Sequence, residues 1–255
     1  LNLHNGDTGV AAAALSKHRG FSRWVEQNAV AHRVDGYAIV NISLKSRDLP
    51  PGDILADQLD AMAEIAERYS FGRLVVTHRQ NLVLPDVEQR ALPRLYAELS
   101  ALGLASANFD QLTDIICCPG LDYCALANAR SIPVAQAIQA RFESLGRLDD
   151  LGGVHLNISG CINACGHHHV GHIGILGVDK GGVEHYQLML GGSNGDTASL
   201  GKVLGRAFTY DEIPEAVERV VNAYLDHRSD ESESFLEAYR RLGKAPFKEA
   251  AYASH

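Results

Sequence analysis

No apolar run in the chain approaches the roughly 20 residues that a membrane-crossing helix needs. The longest alanine-rich stretch, Ala11–Leu15, is far shorter. A soluble, cytoplasmic protein is therefore expected. Basic charge is also scarce: 23 Lys and Arg stand against 31 Asp and Glu, for a formal net charge of −8. Neutralising phosphates needs concentrated cations, so sequence-independent nucleic-acid binding is excluded, and any anionic ligand must be held by local charges. Nothing resembles a secretory signal, and no convincing internal repeat is present. What is there is 255 residues, 46% hydrophobic, enough to bury a substantial core in one large domain or two modest ones. The chain starts at Leu1 rather than Met, and residues 1–20 form a polar, Gly- and Ala-containing lead-in, as in a fragment or a processed piece.

Cysteine is sparse but patterned. Of five cysteines, four form two tight pairs: Cys118–Cys124, with five residues between them, and Cys161–Cys165, with three. Thiolates spaced in this way can close around one iron-sulfur cluster. Because residues 125–160 separate the pairs, only a chain folded back on itself can bring them together. Structural zinc, the runner-up, usually takes pairs with two to four intervening residues in short knuckles. Two disulfides would require an oxidising compartment. Unrelated buried cysteines explain poorly the fixed short gaps beside Gly and Pro. Cys117, adjacent to Cys118, points to the other side of an extended segment and is read as packing only.

The hydrophobic pattern predicts an α+β protein. Ala38, Val40, Ile42 and Leu44 alternate with Asn41 and Ser43 as in a half-buried strand over 37–44. After Pro50-Pro51-Gly52, Asp53 is placed to cap a helix whose core stripe is Leu55, Leu59, Met62, Ala66 and Tyr69. Strands follow at 73–77 and 82–84, then a helix through Leu92, Leu95, Leu99 and Leu102, stopped by Gly103. This order over residues 21–111 is a split βαβ, ferredoxin-like unit. Residues 112–255 form a second, α/β domain that holds both cysteine pairs. It contains a helix over 125–144 despite Pro133, a strand over 154–159 leading into Gly160 and Cys161, a hairpin of 173–178 with 183–190, and helices over 214–227 and 234–242.

Cys118-Pro119-Gly120 with Cys124, followed by Ser159-Gly160-Cys161-Ile162-Asn163-Ala164-Cys165, resembles the sirohaem and iron-sulfur signature of nitrite and sulfite reductases. The flanking residues 121–133 and 166–175 resemble the bacterial haemoprotein branch of that family. The likeness runs from about Phe21 to the C-terminus and corresponds to the second of the two related halves of such enzymes. It implies a 4Fe-4S cluster held by Cys118, Cys124, Cys161 and Cys165, with Cys165 also the axial ligand of a sirohaem iron and therefore the residue on which catalysis turns. A thiolate shared between two metal centres would give electrons a covalent path. Asn163 is expected at the cofactor, and Arg130 either at a cofactor carboxylate or paired with a neighbouring acid.

The resemblance further implies reduction of sulfite to sulfide or of nitrite to ammonia. Its partners would be an electron donor (a ferredoxin, a flavoprotein or similar) and the first half of the reductase, fused or separate. The alternative is an electron-transfer or assembly subunit that carries only the cluster. One position departs from the pattern: seven residues after Cys165, where relatives often carry an acid, stands His172, which removes no ligand but bears on hydrogen bonding behind the cluster. Adjacent His167, His168 and His169 diverge in direction and are read as mixed packing, surface and proton-relay residues. Arg79, in the turn 77–81, and the Gly191–Gly195 loop are read as structural first, with anion contact as the lesser alternative.

Overall fold

The computed structural model describes residues 19–46, 48–146 and 148–253. Its contacts divide it into one unit up to Phe109 and another from Asp110 onward. Among the described residues no helix is long and apolar enough to cross a membrane.

The first unit begins with helix α1 (Arg19–Asn28) and strand β1 (Ala29–Ala31), followed by β2 (Tyr37–Ile42), α2 (Ala56–Tyr69), β3 (Val75–Val76), β4 (Leu82–Glu88) and α3 (Leu92–Ala101). The sheet runs β1-β2-β4-β3, antiparallel throughout. Met62, Ile65 and Ala66 of α2 and Leu92, Leu95 and Leu99 of α3 share one core with Val40, Ile42 and Leu84 of the sheet and with Phe21 and Trp24 of α1.

Four local expectations change. Leu55 and Leu59 are exposed, so the buried stripe of α2 lies on Met62, Ile65 and Ala66. Asp53 is not the cap; the Leu55 N–H donates to the Gln58 side chain, which donates in turn to the Leu102 carbonyl. Asn41 and Ser43 are buried rather than solvated, Asn41 donating to the Asn28 carbonyl. β4 continues through Pro85, which is tolerated because pairing with β3 ends at Val83 and β2 is irregular between Ala38 and Val40.

The second unit contains β5 (Ile116–Cys117), α4 (Ile132–Leu145), β6 (Leu156–Ser159), β7 (Ile173–Asp179), β8 (Glu184–Leu190), β9 (Lys202–Val203), α5 (Ile213–His227), α6 (Phe235–Leu242) and α7 (Ala245–Ala251). The sheet order follows the chain: β5, β6 and β7 are parallel, while β8 and β9 are antiparallel additions. Ile158, Ile175, Leu188, Val134, Ile138, Val217 and Phe235 belong to its single core. Ser234 caps α6 reciprocally with Glu237. The helix expected from Ala125 begins only at Ile132, with Pro133 in its first turn, where the missing N–H costs nothing. The segment before it is free to form a loop.

Candidate metal centre

Both cysteine pairs follow the C-terminal ends of adjacent parallel strands. Cys118 comes directly after β5, and Cys161 lies two residues beyond the end of β6. Crevices at such strand ends are where open α/β sheets bind ligands. The ladder continues past β5, since the Cys118 N–H donates to the Ile158 carbonyl at 3.1 Å. The Cys118 sulfur, buried, accepts the Gly160 N–H at 3.1 Å and lies 3.4 Å from the Ser131 hydroxyl.

Three glycines let the loops approach this closely. Gly120 has φ +58°, and a methyl there would lie 2.5 Å from the Ser131 nitrogen. A methyl on Gly160 would lie 2.5 Å from the Ala129 carbonyl oxygen and 3.0 Å from the Gly120 Cα, and one on Gly177 of β7 would lie 2.7 Å from Ala129 Cβ. The first loop closes on itself through Leu121 N–H to the Ala129 carbonyl and Cys124 N–H to the Gly120 carbonyl, and it grips the second through the Asn128 and Ala129 N–H groups, which share the Gly160 carbonyl.

The second pair occupies a tight turn. Cys161 is buried, and its carbonyl accepts the Ala164 N–H; the Ala164 carbonyl accepts the His167 N–H at 2.7 Å. Ala164 and His167 both adopt left-handed backbone, φ +57° and +53°. Asn163 and Cys165 are exposed. Around the two loops Tyr123, Leu126 and Ile162 are each at least 75% exposed, and Leu121 is 42% exposed, which gives the loops an open apolar rim.

The turn then passes to His168, fully buried, with neither ring nitrogen partnered within the protein. Burial, aided by the neighbouring His169 ring at 3.9 Å, pushes the His168 pKa down to about 4, so the imidazole is neutral near pH 7. His172 accepts the His155 N–H at its Nδ1 and stacks on the His155 ring at 4.4 Å, while His155 Nε2 meets Asp110 at 2.7 Å. Among the described residues, no group of three or more His, Cys, Asp or Glu side chains converges as a single-ion site.

Of the remaining candidates, Cys117 packs in the core with its thiol on the Cys118 carbonyl. Arg130 precedes α4 and is bound to Glu184, the acid-pairing alternative weighed from the sequence. Arg79 sits over the Phe109 ring at 5.4 Å, in a turn gripped by fully buried Lys45, whose ammonium donates to the Arg79 and Gln80 carbonyls and to Asn81 Oδ1. In the Gly191–Gly195 loop, the Gly191 and Ser193 N–H groups are taken by the His172 and Ser199 carbonyls. Sequence reasoning missed Ser131, Glu184 and Tyr186. The available signal was faint: Glu184 and Tyr186 lie two apart on a strand and so share a face.

The chain matches the nitrite/sulfite reductase ferredoxin-like half domain over residues 35–102 and the nitrite and sulphite reductase 4Fe-4S domain over residues 109–251. It is 32% identical over 190 residues to a Mycobacterium tuberculosis sulfite reductase (ferredoxin), covering 70% of this chain and 34% of that one. It is 28% identical over 194 residues to the chloroplastic ferredoxin–nitrite reductase of Spinacia oleracea, covering 72% and 32%. The structure resembles that of the Mycobacterium tuberculosis NirA protein with a TM-score of 0.72 at 28% identity, covering 86% of this chain and 41% of that one. Its likeness to dissimilatory sulfite reductase I, at a TM-score of 0.70 and 12% identity over 86% and 70% of the two chains, is one of fold alone. The chain thus spans about a third of the length of the curated relatives it matches. With its cysteine-bearing unit matched almost throughout, and that match alone taking in more than half of its length, this chain belongs to the nitrite and sulfite reductase family.

Proposed function

We propose that the chain is a sirohaem-dependent oxidoreductase module, reducing sulfite to sulfide or nitrite to ammonia with six electrons. In this reading Cys118, Cys124, Cys161 and Cys165 hold a 4Fe-4S cluster, and Cys165 also ligates the sirohaem iron. The observation that carries it is the interlocking of the two cysteine loops at neighbouring parallel strand ends, through Gly120, Gly160 and the Cys118–Gly160 bond.

The residues present fit such a group. Four thiol donors match the ligand set of a cubane cluster, and five free cysteines suit a cytoplasmic setting that keeps thiols reduced. The Gly160 N–H and the Ser131 hydroxyl lie on the Cys118 sulfur, where hydrogen bonds tune a metal-bound thiolate. The exposed rim of Leu121, Tyr123, Leu126 and Ile162 would exclude water from a bound apolar macrocycle. Buried His168 has two unsatisfied ring nitrogens, which cost free energy unless a bound group or water engages them.

When bound, the cluster and sirohaem supply the electron path and the metal at which an oxyanion is reduced. The protein's part would be to fix the thiolates, offer apolar side chains to the face of the macrocycle and present polar groups. Exposed Asn163, between the two cysteines of its turn, would hydrogen-bond at the cofactor edge. Arg130 would reach a cofactor carboxylate only at the expense of its bond to Glu184. Cationic groups that offset substrate charge belong, on this reading, to the first half of the reductase, fused or separate. The electron donor is a ferredoxin, flavoprotein or similar carrier.

Anaerobic reconstitution with iron, sulfide and sirohaem, followed by absorption spectroscopy and assay with a reduced donor, tests the proposal. Bound iron together with a sirohaem band is expected. A folded protein that takes up neither overturns it, and iron and labile sulfide without sirohaem select the electron-transfer or assembly alternative. Zinc in place of labile sulfide would leave a colourless structural domain.

A further inference from the structure

We infer that Glu184 is a positioning residue for the loop carrying Cys118 and Cys124, acting through Arg130 and with Tyr186. That these cysteines are ligands rests on the reading above; the clamp itself rests on geometry. Glu184 opens β8, and one of its oxygens accepts the Arg130 backbone N–H at 2.7 Å while the other accepts the Arg130 Nε at 3.0 Å. Tyr186, two residues along and therefore on the same face of the strand, places its hydroxyl 3.0 Å from the Arg130 carbonyl and 3.1 Å from the Glu184 carboxylate, its one proton shared between the two acceptors. The N–H, the carbonyl and the guanidinium of one loop residue are thus all bound by a pair of residues on one strand.

What Arg130 carries is the returning limb of the cysteine loop. Its neighbours Asn128 and Ala129 donate to the Gly160 carbonyl at 2.8 and 3.0 Å. The outgoing limb hangs on this returning limb: the Leu121 N–H donates to the Ala129 carbonyl, and Ser131 lies beside both Gly120 and the Cys118 sulfur. Residues 123–131 form no helix or strand that could fix their own shape. Local turns close Cys124 onto Gly120 and Ala127 onto Cys124, and the returning limb is held from Gly160 on one side and from β8 on the other.

An exposed ion pair contributes little by itself. This carboxylate differs because it takes two donors from the same residue, and charge-assisted pairs of that kind are the strong ones. Burial would raise the Glu184 pKa, but the Arg130 N–H, the Tyr186 hydroxyl and the Arg130 guanidinium outweigh it and hold the carboxyl below its ordinary value.

The test compares Glu184→Ala, Glu184→Gln and Arg130→Gln with wild type, using Arg141→Gln as a control that removes the Arg141–Glu218 ion pair between α4 and α5. Amide hydrogen exchange is measured on the cluster-free full chain, and the rate of iron loss to a chelator on the reconstituted protein. In Glu184→Ala, amides 121–130 are expected to exchange about tenfold faster and iron to leave about tenfold faster, with melting temperature and far-ultraviolet circular dichroism retained. Glu184→Gln, which keeps an acceptor, falls between Glu184→Ala and wild type; Arg130→Gln follows Glu184→Ala; the control matches wild type. Wild-type exchange over 121–130 in Glu184→Ala overturns the inference. So does faster exchange confined to Arg130, or iron loss at the wild-type rate. A wild-type chain that never binds iron removes the ligand assignment instead, and exchange in the cluster-free chain still decides whether the clamp exists.

Discussion

The two cysteine loops draw differently on local and distant contacts. The Cys118–Cys124 loop takes its shape from distant parts of the sequence: Gly160 supplies both a donor to the Cys118 sulfur and an acceptor for Asn128 and Ala129, and Glu184 holds Arg130. The Cys161–Cys165 loop is made locally, from consecutive turns with Ala164 and His167 in left-handed backbone, and it leaves Cys165 exposed. One arm of the proposed centre therefore leans on β8 as well as on its own turns, whereas the other rests on two left-handed turns that Asn157 of β6 steadies by donating to the Gly166 and His167 carbonyls. The contrast teaches that equal ligands need not be equal in the cofactor-free protein.

Substitutions can break this contrast. Gly160→Ala has the largest expected effect, because its methyl would sit 2.5 Å from the Ala129 carbonyl, where backbone has to move. A loss of about 3 kcal/mol or more is expected from chemical denaturation, together with failure to bind iron. Serine at Cys165 and at Cys118 should both abolish loading of the proposed cofactors. Without cofactor the two should diverge. Cys118→Ser disturbs a buried acceptor and should cost about 1–2 kcal/mol, while Cys165→Ser, at an exposed site, should stay within about 0.5 kcal/mol of wild type. Equal losses in the two variants would erase the distinction between the loops.

His168 sharpens the comparison through pH. Its folded-state pKa of about 4 lies below the ordinary 6.5, so between those values the unfolded chain binds a proton that the folded chain refuses. Stability contributed by the neutral ring is complete above pH 6.5 and is lost as pH falls toward 4, by about 3 kcal/mol in total. Denaturation midpoints of the cofactor-free protein should show that slope, and His168→Leu should flatten it. An unchanged slope in the variant would mean that other groups carry it. A small effect of opposite sign is expected for Ala164→Gly: relief of left-handed backbone slightly outweighs the entropy glycine adds to the unfolded chain, for a stabilisation within about 0.5 kcal/mol. A large loss there would mean that the second turn is held by more than its own backbone.

The sequence carried those features whose causes are local. Both cysteine pairs, the β7–β8 hairpin with Gly181 and Gly182 in left-handed backbone, and the Ser234 start of α6 depend on neighbouring residues and could be read from them. The first turn of α4 was misplaced because Pro133 is equally compatible with interrupting a helix and with beginning one. Leu55 and Leu59 fit the periodicity of α2 but face solvent, since a repeat of 3.6 residues does not say which apolar stripe the rest of the fold will cover. Glu184 was not legible as a partner of Arg130, because its relevance is created by the parallel stacking of β5, β6 and β7 and by the hairpin that returns β8 beside them.

The parallel pairing of β5 with β6 has a metrical consequence. Neighbouring strands lie about 4.8 Å apart, a distance set by peptide hydrogen bonds and indifferent to side chains. Because each strand leads into one half of the proposed ligand set, that repeat is the gauge between the two cysteine pairs. The sheet works as a ruler: a change that breaks the backbone pairing of Ile116 and Cys117 with Asn157 and Ile158 would widen the gauge without altering any of the four cysteines.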